Sequence, residues 1–151
     1  MTNFAFRLEK VLRWRQARLE LEQFALSRLA AECAHWDEVL AKLSQARTDA
    51  QTLMRSSETV NGLDLAALGR YQQHLDQQRT AAFERRRECG QRMEQQRGRL
   101  LQARRDHRLL EKLRQTRHAE WETAVNREFE ALSAENYLAR WVPRMRSHPE
   151  P

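Results

Sequence analysis

The chain has 151 residues, of which 32% are charged and 7% aromatic, with four glycines, three prolines and a formal charge of +6. So few turn formers among so many Ala, Leu, Glu, Gln and Arg residues exclude a globule of many short elements and point to long helices. No run approaches the roughly 20 apolar residues of a membrane span, and a basic N-terminus without an apolar h-region argues against a secretory signal.

The first predicted element is a helix over about 4–56. From Leu8, alternating steps of four and three residues pass through Leu8, Leu12, Arg15, Leu19, Glu22, Leu26, Leu29, Cys33, Trp36, Leu40, Leu43, Arg47, Ala50 and Met54. Eleven of these fourteen are apolar, and a 3.5-residue repeat keeps one narrow stripe facing a partner helix. Phe4, Val11, Trp14 and Leu21 fall off that stripe, so the N-terminal end is apolar on more than one side. Aromatics interleaved with Arg7, Lys10, Arg13 and Arg15 suit a protein contact, because aromatics bury large area and arginine pairs with carboxylates.

The stretch "RSSETVNGLD" at 55–64 predicts a turn over about 57–63. Ser, Thr and Asn compete with the helix for backbone hydrogen bonds, and Gly62 supplies a turn without a Cβ. Asp64 is then expected to cap the first amides of a second helix. That helix should run over about 64–142, leaving 143–151 as a short tail after Pro143. Gly90 and Gly98 are the places where it could break, each costing about 1 kcal/mol relative to alanine.

A turn that sets residue 57 against residue 64 makes the helices antiparallel neighbours and fixes their register. The second helix repeats Leu68, Leu75, Ala82, Cys89, Gln96, Ala103 and Leu110 at seven-residue intervals. The register then pairs Met54 with Leu68, Leu40 with Ala82, Cys33 with Cys89, Leu19 with Ala103 and Leu12 with Leu110. The expected fold is all-α, a single monomeric domain formed by a two-helix antiparallel coiled-coil hairpin with the second helix the longer. Arg47 and Glu22 interrupt the stripe, and 84–99 offers only Cys89 and Met93 as larger apolar groups, so the middle is expected to pack weakly.

Helix two should outlast helix one by about 25 residues, on the order of 35 Å of helix. That overhang carries Trp121, Val125, Phe129 and Leu132 at spacings of four, four and three, an amphipathic stripe without an intramolecular partner at this register. It needs an external cover, unless the tail folds back on the hairpin or the register slips so that Phe4 and Phe6 cover part of it.

Residues 79–117 hold thirteen Arg and Lys against five Asp and Glu, a net +8, while the rest of the chain holds fourteen against sixteen, a net −2. Such a stripe is either a solvated helix face or an attraction for phosphates, which leaves a nucleic-acid-binding hairpin open. A helix lying on a membrane surface is a further alternative. Cys33 and Cys89 fit a reduced protein in which each is a small buried thiol. The five histidines lack metal-site spacing, and no phosphate loop or nucleophile elbow is present. No enzymatic activity, cofactor, metal or small-molecule substrate is expected.

The opening "FAFRLEKVLRWRQ", the segment "RYQQHLDQQRTAA" at 70–82 and "RLLEKLRQTRHAEW" at 108–121 together resemble the FliJ family of flagellar type III export proteins. The resemblance implies a stalk-like coiled coil that docks in the pore of a hexameric export ATPase. It implies further contacts with the cytoplasmic domain of the membrane export gate, and with export chaperones. Carried over, Phe4, Phe6, Arg7, Val11 and Trp14 would meet the ATPase, with Leu113, Arg117, Trp121, Val125, Phe129 and Leu132. Tyr71, Gln72, Gln73, His74 and Leu75 would face the gate. The chain departs from the family where "LSAENYLARW" replaces an acidic pair near the C-terminus, and where His74 replaces an aromatic. An equivalent stalk of a virulence-type secretion system is the alternative. The location implied is cytoplasmic, at the periphery of the inner-membrane export apparatus.

Overall fold

A computed structural model describes residues 3–57, 59 and 61–146, without the side chains of 142–146. Two helices account for the fold, α1 (Glu9–Ser56) and α2 (Gly62–Arg146), and they form an antiparallel coiled-coil hairpin with α2 the longer. Two compact units divide the chain. One is Ala17–Arg104, and the other joins the residues up to Gln16 to those from Arg105 onward.

Helix α1 starts later than its periodicity suggests. Phe6 C=O accepts a hydrogen bond from Glu9 N–H at 3.1 Å, so a turn delivers the chain into the helix. Residues 3–6 are not helical. Leu8 accordingly lies in the turn and is exposed, and the buried stripe begins at Leu12. From Leu12 to Met54 every stripe position is buried or half-buried.

Helix α2 starts earlier than expected, and Asn61 takes the capping role assigned to Asp64. Asp64 N–H donates to Asn61 Oδ1 at 2.9 Å, while Asn61 N–H donates to Asp64 Oδ2 at 3.3 Å. This reciprocal pair satisfies two free amides at the helix entrance. Gly62 is therefore the first helical residue, with negative φ, and no left-handed turn is built on it. Glu58 and Val60, part of the predicted turn, lie outside the described residues. Helix α2 runs through Gly90, Gly98 and Pro143 without a break. At Pro143 the backbone has no N–H to donate to the carbonyl four residues earlier, so the last turn of α2 lacks that hydrogen bond. Of the predicted tail, 143–146 are helical and 147–151 lie outside the described residues.

In the Ala17–Arg104 unit, Leu75, Ala82, Cys89, Gln96, Leu100 and Ala103 are buried. Full burial of a leucine such as Leu75 or Leu100 is worth about 1.5–3 kcal/mol. The expectation of a weakly packed middle fails here. Cys33 and Cys89 meet as the register requires, but as a disulfide rather than as two thiols, with their Cα atoms 5.7 Å apart. In the chain-entropy account, a cross-link spanning 56 residues contributes about 4 kcal/mol. Gln96 donates to the Glu22 backbone carbonyl at 3.2 Å and also bonds the Glu22 carboxylate. Arg86 pairs with Asp37 at 2.7 Å, Arg92 pairs with Glu32, and Arg47 meets Asp76 at 3.3 Å. Both polar residues that interrupt the α1 stripe in this unit thus find α2 partners.

In the other unit the corresponding intruder is Arg15, whose guanidinium reaches Asp106 at 2.6 Å. Glu9 lies between Arg13 on its own helix and Arg114 on α2, at 3.8 and 3.4 Å. The antiparallel register therefore holds here as well.

Candidate partner-binding surfaces

The unit that holds the described chain ends carries most of the predicted contact residues. Its non-helical N-terminal segment passes over α2, where the Phe4 ring lies 4.9 Å edge-on from His118 and 5.9 Å from Trp121. This corrects the expectation that Trp121 lacks an intramolecular partner. A straight extrapolation of helical rise sets residue 4 near Arg117. The residues before Glu9 are not helical, so that extrapolation does not apply to them and Phe4 packs on His118 and Trp121 instead.

Between the segment and α2 lies a cleft of about 660 Å³, lined by residues 3–8 together with Leu113, Arg117 and Trp121. Phe4, Phe6 and Arg7 are thus brought together with three of the predicted α2 residues. Arg117 is held by Glu120 at 2.8 Å on its own helix, which keeps its charge near the cleft wall. Trp14 and Val11 do not line this cleft. Trp14 is 54% exposed, and the Arg15 guanidinium carbon stands 5.0 Å from its ring centroid.

Beyond Trp121 the stripe loses its cover. Val125 is half-buried, while Phe129 and Leu132 are 59% and 55% exposed. Tyr137, Leu138 and Trp141 are exposed as well, apolar surface that the stripe did not single out. Spacing that departs from the 121–132 series concealed them, although their aromatic and apolar character was visible. This concentration of uncovered aromatics is the signature of a contact surface.

The residues matched to a gate contact lie on one stretch of α2 in the Ala17–Arg104 unit. Tyr71, Gln73 and His74 are exposed and Gln72 is half-buried. Leu75 is only 6% exposed, because it belongs to the inner seam. Gln72 and Gln73 also border a shallow groove with Asp76 and Gln77. Polar, hydrogen-bonding side chains line this surface, in contrast to the aromatic cleft.

The basic segment is partly neutralised within the chain. Arg85, Arg86, Arg87, Arg92, Arg97, Arg114 and Arg117 all form ion pairs with carboxylates. More than half of its thirteen basic side chains therefore already have acidic neighbours, which weakens it as a phosphate track. Among the described residues no cluster of three His, Cys, Asp or Glu side chains has the arrangement of a metal site. No described helix is long and apolar enough to cross a membrane.

No curated protein and no solved structure matches the chain. The family model described as flagellar FliJ protein matches residues 4–132, from the Phe4 that packs on Trp121 to the Leu132 that ends the exposed stripe. With its two-helix hairpin and that match over most of its length, the chain belongs to the FliJ family of flagellar, export-related proteins.

Proposed function

We propose that this chain is a non-catalytic, stalk-like component of flagellar type III export that docks in a hexameric export ATPase. The contact is made by Phe4, Phe6, Arg7, Val11 and Trp14 together with the 113–132 part of α2. The observation that carries this reading is the uncovered aromatic surface of one unit, where Trp14 and Phe129 are more than half exposed within a family concerned with the flagellum. A helical element enclosed by a ring needs large apolar anchors at its surface, with arginines to meet acidic groups. Tyr71, Gln72 and Gln73 offer a polar contact to the cytoplasmic domain of the export gate, and this would place the protein at the cytoplasmic periphery of the inner membrane. Export chaperones are further candidate partners. The family match favours a flagellar system over a virulence-type one.

The test is stimulation of the purified export ATPase by the chain and by a Val11→Asp, Trp14→Ala variant. Both side chains are substantially exposed, so the variant should keep its helix content. Loss of a buried anchor costs about 2 kcal/mol, which weakens binding roughly 30-fold. Undiminished stimulation would overturn the proposed ATPase surface. Salt-sensitive RNA binding without ATPase stimulation would favour the nucleic-acid reading instead.

A further inference from the structure

Cys33 and Cys89 occupy facing seam positions in the Ala17–Arg104 unit, 3% and 0% exposed, with Cα atoms 5.7 Å apart. That separation is the usual one for a disulfide. Both redox forms have a place in this geometry, because the Leu29 carbonyl lies 3.4 Å from Cys89 Sγ and can accept from its thiol when the bond is open. Arg86 and Arg92 stand three residues either side of Cys89, each ion-paired to α1 through Asp37 and Glu32. These pairs tie α1 to α2 on both sides of the cysteine seam. An added Cβ at Gly90 would lie 3.3 Å from Arg86 Nη1, so this glycine leaves room for the guanidinium beside the cysteine's own turn.

We infer that Cys33 and Cys89 form an oxidative modification site, at which a small-molecule disulfide of the glutathione type converts two seam thiols into a clasp between α1 and α2. One thiolate attacks the small disulfide, forming a mixed disulfide and expelling one small thiolate. The second cysteine thiolate then attacks the protein sulfur of that mixed disulfide and expels the other. The protein loses two electrons and two protons, and one small disulfide becomes two small thiols. Because both sulfurs are buried, exchange in either direction waits for local separation of the helices. Neither cysteine belongs to the proposed docking surfaces, so the inference does not depend on the ATPase reading.

The experiment treats the full-length reduced chain with oxidised glutathione. The linkage is then mapped by non-reducing digestion and mass spectrometry, and melting is followed by circular dichroism. The expected product is an intramolecular Cys33–Cys89 link that raises the melting temperature by roughly 10 °C over the reduced chain. Reduction by a phosphine should be at least about 100-fold slower in the folded chain than in denaturant. Cys33→Ala and Cys89→Ala should each abolish the oxidant-dependent shift. If either variant fails to fold, comparing reduced with oxidised wild-type chain still decides the matter. Persistent free thiols, links only between chains, or equal melting temperatures for the two redox forms would each overturn the inference.

Discussion

In the Ala17–Arg104 unit the seam closes on Ala82, Cys89, Leu100 and Ala103, all buried, whereas in the unit of the chain ends Trp14, Phe129, Leu132 and Trp141 leave about half or more of their surface in water. Each unit pairs a stretch of α1 with a stretch of α2, but most of the fully buried seam residues lie in the first. Small seam residues let two backbones approach and be tied by a disulfide, a buried amide and three interhelical ion pairs. Large aromatics set outside the seam add nothing to that pairing and expose surface that water solvates poorly. Phe24, Leu63 and Phe83 of the first unit are exposed as well, so what sets it apart is its closely tied seam rather than an absence of exposed apolar groups.

The strongest way to break this comparison is to remove the overhang. Truncation after Glu122 keeps His118 and Trp121, the two rings under Phe4, while deleting Phe129, Leu132 and the aromatics beyond. Binding to the export ATPase should fall by at least about 100-fold, the effect of losing more than one anchor. The melting temperature should hardly change. A truncated chain that unfolds would show that the overhang belongs to the core. One that binds normally would move recognition elsewhere.

The opposite outcome is expected for Gln96→Ala. It deletes the donor to the Glu22 carbonyl and leaves the Glu22 carboxylate without its amide partner. Denaturant unfolding at fixed redox state should show a loss of about 1–3 kcal/mol, the usual penalty for stranding a sheltered polar group. ATPase affinity should stay unchanged. An equal loss of affinity and stability would mean that the units are not specialised.

Asn61→Ala sharpens the picture at the helix entrance. It removes the acceptor for Asp64 N–H and should cost about 1 kcal/mol. Hydrogen exchange should accelerate chiefly in the first turns of α2. Global loss of protection would show that the cap controls the whole hairpin.

The smallest effect concerns Glu38, an exposed residue whose carboxyl is held below its ordinary value of 4.5 by a hydrogen bond from Lys42, by the Lys42 charge and weakly by His35. A lowered folded pKa means that any stabilisation exists above the ordinary value and disappears as pH falls through the folded one. NMR titration of Lys42→Ala should show Glu38 moving back up toward its ordinary value, with no detectable change in melting at neutral pH. An unmoved titration would assign the shift to another group.

Much of this was legible in the residue order. The α1 stripe from Leu12 to Met54 and the α2 series from Leu68 to Leu110 are buried or half-buried at every position, because heptad spacing is a local property of a helix. The turn alone placed Cys33 opposite Cys89. The exposure of Trp14, Phe129 and Leu132 was legible too, since each departs from the inner seam or lies beyond the end of α1.

What the order of residues could not disclose was how polar positions would be treated. A second α2 row, interrupted at the exposed Arg79, runs through Gln72, Arg86, Met93, Leu100 and His107, all buried or half-buried, and its mixed polarity hid it from an apolar count. Glu22 and Arg47 read as interruptions of the stripe until the second helix supplied Gln96 and Asp76, and Arg15 on the same stripe meets Asp106. Phe4 likewise meets Trp121 from a non-helical segment that periodicity alone read as part of α1. Periodicity and turn chemistry are set along the chain and determined the helices and their register. Whether a polar side chain may be buried, and which rings meet, depends on groups brought from the other helix, and that was decided only by tertiary packing.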